Sequence, residues 1–346
     1  MKYKYKISVI IPTLNSEKYL DLSLKSIFNQ KNIDKFDVII VDAFSKDKTR
    51  QIAKKFPVRI IDNNLVTGEA GKMLGLKESN YEIVAFIDSD NVISDKRYFE
   101  KAINIFNKHQ DLDIDCIEPI GFKFLKKDSV INQYCSLMGL NDPIEFYLGR
   151  FDKNNIIIND YTIFPKENLI NNSKYLIDRL LHTNKLFPTF GANGTIYKKN
   201  KLKKVLNFNK LKYFFDVDVT LKIFVKNKKF TICKIKSDII HFYCEDVFRF
   251  LKKQTRRIEH FLYFSKIKKI RVKDKKYLPI NLRIIIFLKF SFVLPILVDS
   301  VNLALKSKFR INFLSHFFYS YLTTLIYILI FLKYFINKNH KIFNYK

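Results

Sequence analysis

Two carboxylates, Asp88 and Asp90, close the apolar run Ile83-Val84-Ala85-Phe86-Ile87, with Ser89 between them. A short apolar run of this kind reads as a buried strand. A strand that delivers two carboxylates to its carboxyl end builds a place for a hard divalent cation. Mn2+ or Mg2+ takes oxygen ligands from one or two carboxylates and completes its shell with substrate phosphates, so the Asp-x-Asp step suits a nucleotide-activated substrate. The bare tripeptide also suits a solvated turn, and the surrounding elements must decide between the two.

Those elements predict an α/β fold. Apolar strand candidates run from Ile7 to Pro12, Asp37 to Asp42, Val58 to Asp62 and Ile83 to Asp88, and they alternate with amphipathic helical stretches. That alternation is the pattern of a parallel sheet covered on both faces. In the first helix Leu20, Leu24, Ile27 and Phe28 share one face, and Ser45 and Ser94 are expected to cap two later helices. Residues 1–120 are thus expected to form a nucleotide-binding half. From Gly121 to Pro188 the periodicity is lost and long loops or short helices are expected. Strand-like runs resume from Thr189 to Tyr197 and from Phe230 to Ile235, so residues 121–245 read as the half that shapes the acceptor site.

The 346-residue chain carries a formal charge of +29, and its hydrophobic content of 48% excludes a disordered chain. Such a charge attracts anionic lipid headgroups, by roughly 1 kcal/mol per Lys or Arg near the surface, and nucleic acid only nonspecifically. The charge lies beside an apolar tail, so membrane lipid is the expected partner and no specific nucleic acid is. Cys116, Cys135, Cys233 and Cys244 lack zinc or redox spacing and read as reduced core residues. Met1 to Lys6 leads directly into a strand, without the pattern of a signal peptide.

Residues 246–280 alternate aromatic and basic side chains, which predicts a segment lying on a membrane surface. Residues 281–346 are expected to be membrane-associated. The run from Phe313 to Phe335 is long enough to span a bilayer and is expected to be a transmembrane helix. Ile284 to Leu305 is a poorer span, because Lys289, Pro295 and Asp299 sit inside it. The basic stretch from Lys266 to Arg283 places the main domain on the cytoplasmic face of the cell membrane, whereas Lys306, Lys308 and Arg310 would lie outside if both segments crossed. A first segment lying on the surface removes that conflict.

Several motifs follow one another in a fixed order. The first is Val9-Ile10-Ile11-Pro12-Thr13-Leu14-Asn15-Ser16-Glu17, and the second runs from Val38 through Asp42 to Thr49. Gly68-Glu69-Ala70-Gly71-Lys72 comes next, followed by the Asp88-Ser89-Asp90 step. Phe190-Gly191-Ala192-Asn193-Gly194, Phe215-Asp216-Val217-Asp218 and Gln254-Thr255-Arg256-Arg257-Ile258 complete the series. This order, over roughly residues 6–265, resembles the GT-A-fold glycosyltransferases of family 2, which implies a Rossmann-like mixed sheet flanked by helices. The resemblance implies a metal-dependent, inverting transfer of a sugar from a UDP- or GDP-sugar donor to a lipid-linked or saccharide acceptor. It implies donor contacts from Pro12, Thr13, Asn15, Glu17, Asp42, Lys72, Asp88 and Ser89. Asp90 becomes the metal ligand, with Asp88 on ribose or metal and His241 a candidate ligand. Asp216 becomes the catalytic base, with Asp218 in reserve, and Gly191, Ala192, Asn193, Gln254 and Arg257 face the acceptor.

The chain departs from the family pattern at six places, one of them Lys72, which stands for an Arg and keeps its positive charge. Ala43 and Phe44 stand where an acidic residue and Gly are frequent, Met73 and Phe215 replace an Asn and a Glu, and Ile258 replaces a Trp. Two other readings stay open at this point. One is a sugar nucleotidyltransferase, which normally has a Gly-rich basic loop where Pro12 to Asn15 stand. The other is a membrane module that binds anionic lipid or nucleic acid without catalysis.

Overall fold

The computed structural model describes residues 6–183, 187–264, 293–307 and 315–336. In chain order the elements are β1 (Lys6–Thr13), α1 (Leu20–Phe28), β2 (Lys35–Asp42), α2 (Thr49–Ala53), β3 (Arg59–Asp62), α3 (Gly68–Glu78), β4 (Ile83–Ile87), β5 (Asn91–Ile93), α4 (Tyr98–Lys108) and β6 (Cys116–Lys123). Next come α5 (Val130–Met138), α6 (Pro143–Tyr147), β7 (Lys166–Asn171), β8 (Tyr175–Leu181), β9 (Asn193–Lys198), α7 (Lys199–Val205), α8 (Asp216–Asn227) and β10 (Lys229–His241). The last helices are α9 (Val247–Leu262), α10 (Val293–Lys306) and α11 (Ser315–Ile336). Two compact units share these elements. Unit one holds Met1–Phe122, Pro165–Thr183 and Phe190–His241, and unit two holds Lys123–Phe164, Asn184–Thr189 and Phe242–Lys346. The chain thus passes back and forth between the units, where sequence reading expected successive halves.

Unit one is built on a ten-stranded sheet of order β3-β2-β1-β4-β9-β6-β10-β8-β7, with β5 paired to β10. The strands β3, β2, β1 and β4 run parallel. The Ile and Val side chains of β1 and β2 are buried on both faces, as central parallel strands require. Thr13 is in register with Asp42, and Asp42 with Asp62, so the polar residues that end these strands gather along one edge. Beyond β4 the sheet becomes antiparallel, giving the mixed sheet expected of the GT-A fold. Ile87 of β4 is in register with Asn193 of β9, so the loop before β9 meets the end of β4. The residues between Gly121 and Pro188 include the antiparallel pair β7 and β8. A short connection suffices to join antiparallel strands. The edge strand β7 is mostly polar and exposed, which hides it from hydrophobic periodicity.

The expected caps differ as well. Helix α2 begins at Thr49, and Ser45 instead donates to Asp42. Helix α4 begins at Tyr98, and Ser94 instead donates to the Asp238 carbonyl. Thr67 caps α3 by accepting from the Ala70 amide at 3.2 Å. Helix α3 lies close against the sheet, because a Cβ on Gly75 would stand 2.4 Å from Ile10 Cγ2 and 3.1 Å from Val41 Cγ2. Gly75→Ala is therefore expected to destabilise the fold by about 1–3 kcal/mol, through overpacking. Thermal denaturation of the variant checks this.

Unit two closes a core in which Tyr134, Cys135 and Met138 of α5 meet Tyr243, Phe250, Leu303 and Tyr319. All four cysteines of the chain are buried thiols. Among the described residues α11 is the one helix long and apolar enough to cross a membrane. Its His316 lies between two hydroxyls, Tyr134 at 2.8 Å from Nδ1 and Tyr147 at 2.7 Å from Nε2. Tyr147 also hydrogen-bonds Asp299 of α10. Residues 265–292 and 308–314 lie outside the described residues, and with them the basic stretch from Lys266 to Arg283 and Lys308 and Arg310.

Candidate active site

The carboxyl edge of β1 and β2 is organised by one buried carboxylate. Thr13 Oγ1 donates to Asp42 Oδ1 at 2.9 Å, the Ser45 amide donates to Oδ2 at 3.0 Å, and Arg50 bridges Asp42 and Asp62. Asp42 is thereby fully covered, and it fixes the two loops that follow the strands. The same loops are stitched directly together. The Asn15 amide donates to Ser45 Oγ at 2.8 Å, the Lys46 amide donates to Asn15 Oδ1 at 2.9 Å, and the Lys48 amide donates to Glu17 at 2.9 Å. Pro12 is half-buried beneath α3, whereas Asn15 and Glu17 are exposed. Phe44 holds a φ of +57°, a conformation that glycine adopts freely and a bulky side chain does not, and its ring is 50% exposed.

The end of β4 carries the acidic step. Ser89 Oγ donates to Ser16 Oγ at 2.9 Å, tying it to the first loop. Asp90 Oδ1 lies 3.6 Å from His241 Nε2 at the end of β10. Burial together with Asp90, Asp216 and Glu69 drives the Asp88 carboxyl up to about 7, although Lys72 pulls the other way. Among the described residues no three His, Cys, Asp or Glu side chains form a ready cage. Asp88, Asp90 and His241 still fit a hard divalent cation that takes its other ligands from substrate: the donors are oxygen and imidazole nitrogen, and the crowded carboxylates would gain from a positive charge.

Lys72 on α3 forms an ion pair with Asp216, the first residue of α8, and both side chains are largely buried, at 10% and 13% exposed. Burial opposes the ammonium charge, but Asp216, Asp88 and Glu69 outweigh it and hold Lys72 protonated. Burial raises the Asp216 carboxyl, and Lys72 offsets part of that rise. The start of α8 is fixed by the Phe214 amide, which donates to the Glu69 carbonyl at 2.8 Å, and by the Phe214 ring, 4.5 Å from that of Phe86. Asp218 is buried one half-turn further along α8.

The loop Gly191-Ala192-Asn193 enters β9 beside the end of β4. Thr195 Oγ1 donates to the Gly191 carbonyl at 2.5 Å, and Tyr98 donates to the Gly194 carbonyl at 2.7 Å. Asn193 Oδ1 is buried without a hydrogen-bond partner among the described residues. Beneath the loop lies an ion pair that sequence reading missed: Lys234 with Glu118, both fully buried, with Lys234 also 5.7 Å from the Phe190 ring centre. Its only trace in the sequence is a charge inside each of two apolar runs. Lys234→Met is expected to cost about 3–5 kcal/mol because it strands a buried carboxylate. The double variant Lys234→Met/Glu118→Leu is expected to recover most of that loss in urea denaturation.

Gln254 and Arg257 belong to unit two. Gln254 Nε2 donates to the Asn141 carbonyl at 2.5 Å and to Tyr243 at 3.2 Å. Arg257 donates to the Asp142 carboxylate and, at 3.0 Å, to Tyr327 of α11. There they join α9 to the turn before α6.

Residues 8–166 match the model of glycosyl transferase family 2. The chain is 35% identical over 114 residues to the poly(ribitol-phosphate) beta-N-acetylglucosaminyltransferase TarS of Staphylococcus aureus (strain Mu50), a stretch covering 31% of this chain and 20% of that protein. It is 32% identical over 128 residues to the minor teichoic acid biosynthesis protein GgaB of Bacillus subtilis (strain 168), covering 35% of this chain and 14% of the relative. The matched stretch thus spans a fifth or less of the length of these two relatives. Among solved structures, the mannosyltransferase PcManGT from Pyrobaculum calidifontis, in complex with GDP-Man and Mn2+, aligns with a TM-score of 0.51 at 14% identity, over 97% of this chain and 89% of that one. At that identity the likeness speaks for the fold, the GT-A mixed sheet with flanking helices.

Proposed function

Because residues 8–166 match the model of glycosyl transferase family 2, we propose that the chain is a member of that family and moves a sugar, with inversion, from a UDP- or GDP-sugar to a saccharide or lipid-linked acceptor at a membrane. The observation that carries this reading is the convergence in unit one of Asp88, Asp90 and the Lys72–Asp216 pair. The loops ordered by Asp42 receive the nucleotide, and Phe44 offers the base an aromatic face. Lys72 keeps a fixed positive charge where the donor diphosphate would lie. Asp90, Asp88 and His241 would hold Mn2+ or Mg2+, which when bound screens the charge of the leaving diphosphate. Asp216 accepts the proton of an acceptor hydroxyl as its oxygen attacks the anomeric carbon and the bond to the diphosphate breaks. One displacement inverts the centre, so no covalent enzyme intermediate is needed.

The acceptor reading rests on chemistry and kinship. Two relatives are named for poly(ribitol-phosphate) and teichoic acid, and a chain of net charge +29 is complementary to a polyanionic acceptor. A phosphate acceptor is already ionised near neutral pH and makes less demand on Asp216 than a hydroxyl does. The test is release of free nucleoside diphosphate from a panel of UDP- and GDP-sugars with Mn2+ or Mg2+, with and without acceptor extract. Acceptor-stimulated release of one nucleotide, lost in Asp90→Ala, is expected. No release and no donor binding across the panel would sink the proposal.

A further inference from the structure

Helix α11 presents an apolar stripe outward and a polar one inward. Phe318, Leu325, Leu329, Leu332 and Ile336 are 50–77% exposed and follow one another at intervals of three, four or seven residues, which places them on one face. On α10, Val298, Val301 and Leu305 follow at intervals of three and four residues and are 42–79% exposed. The opposite face of α11 buries His316, Ser320, Thr323 and Thr324.

That inner face is covered along the length of the helix by elements that cannot enter hydrocarbon. His316 bonds to α5 and α6, Tyr327 donates to the Asp142 carboxylate at 2.8 Å, and Ile330 packs on Ile258 and Leu262 of α9. Helix α9 carries Arg249, Lys252, Lys253 and Arg256 within its 16 residues, and Lys252, Lys253 and Arg256 are exposed. If α11 crossed a bilayer, these charges would have to follow it in. A helix with one apolar face outward and charged neighbours behind it suits the boundary between water and lipid. The charge of the region names the lipid: residues 246–346 hold 21 Lys and Arg against 4 Asp and Glu.

We infer that α10 and α11 seat unit two on one leaflet of an anionic phospholipid bilayer, lying along it with their apolar stripes submerged. This rests on the membrane part of the function proposed above and gives it a geometry, an anchor that docks on a single face.

Two measurements on the full chain test it, and neither uses sugar transfer. In flotation with vesicles of phosphatidylglycerol and phosphatidylcholine, binding is expected, weak on phosphatidylcholine alone, and weakened about tenfold or more by Leu325→Asp/Leu329→Asp. In cells, Ser307→Cys and Asn339→Cys stand before and after α11 in the sequence, while the native thiols are buried. A membrane-impermeant maleimide is expected to label neither in intact cells and both after permeabilisation. Labelling of one site alone from outside would show a crossing helix and overturn the inference. So would vesicle binding unchanged in the double variant, or absence of vesicle binding with self-association that the same variant abolishes. An active transferase with any of these results loses only this inference, whereas an inactive one that docks as expected loses only the catalytic reading.

Discussion

Asp216→Asn is expected to slow transfer to a hydroxyl acceptor by about 10²- to 10⁴-fold, the usual range for a general base, while leaving donor affinity within a few fold. The Asn side chain is nearly isosteric and keeps a hydrogen-bonding oxygen toward Lys72, so the start of α8 has no reason to move. What is lost is the negative charge that receives the proton. It is also the counter-ion of Lys72, and the freed ammonium is then left to Asp88, Glu69 and the donor diphosphate. Donor binding is thus expected to hold or tighten while kcat falls. Lys72→Met separates the two roles: it is expected to weaken donor binding and leave an unpaired, partly buried carboxylate at Asp216. Equilibrium binding of the nucleoside diphosphate beside steady-state rates checks both. Equal losses in binding and rate for Asp216→Asn would argue against its role as base.

The second large effect is one of pH. Burial and its acidic neighbours push Asp88 up to about 7, so below that value its carboxyl is mainly protonated and a poor partner for a cation. Mn2+-dependent donor binding is expected to strengthen roughly tenfold per pH unit below the midpoint, then level off above it. Proton release on Mn2+ addition, measured in weakly buffered solution, is the direct check. Stability runs in the opposite sense. Between the ordinary value of 3.8 and about 7 the folded state binds more protons at Asp88 than the unfolded state does. Without metal, folding stability therefore falls as pH rises through that window. Asp88→Asn is expected to remove this slope, raising Tm near pH 8 while abolishing the pH dependence of Mn2+ binding.

The first half of the sheet was legible because central parallel strands must be apolar on both faces, and Ile7 to Pro12, Asp37 to Asp42 and Ile83 to Asp88 are written that way. Their carboxyl ends share one edge, so the pattern of the strands alone brings Asp42 and Asp88 to it. The hairpin of β7 and β8 was not legible, because an exposed edge strand needs no apolar alternation. Nor were the caps, since a serine near a helix start can equally well turn back to a carboxylate, as Ser45 does to Asp42. The partnership of Lys72 and Asp216 spans 144 residues and no local pattern encodes it. The Phe44 backbone shows the same limit: its residue type argues against a left-handed turn, and the hydrogen bonds around Asp42 impose one.

The alternation of the chain between its two units bears on how such a protein can change over generations. Residues 123–164 of unit two take the closing side chains of their core, Tyr243, Phe250, Leu303 and Tyr319, from beyond residue 241. A stop codon or a recombination joint placed there would leave that core open to solvent and the affected chain exposed to proteolysis. The tail is thus inherited with the middle of the gene as one folding unit, and new attachments to a surface must arise by altering its outer residues in place.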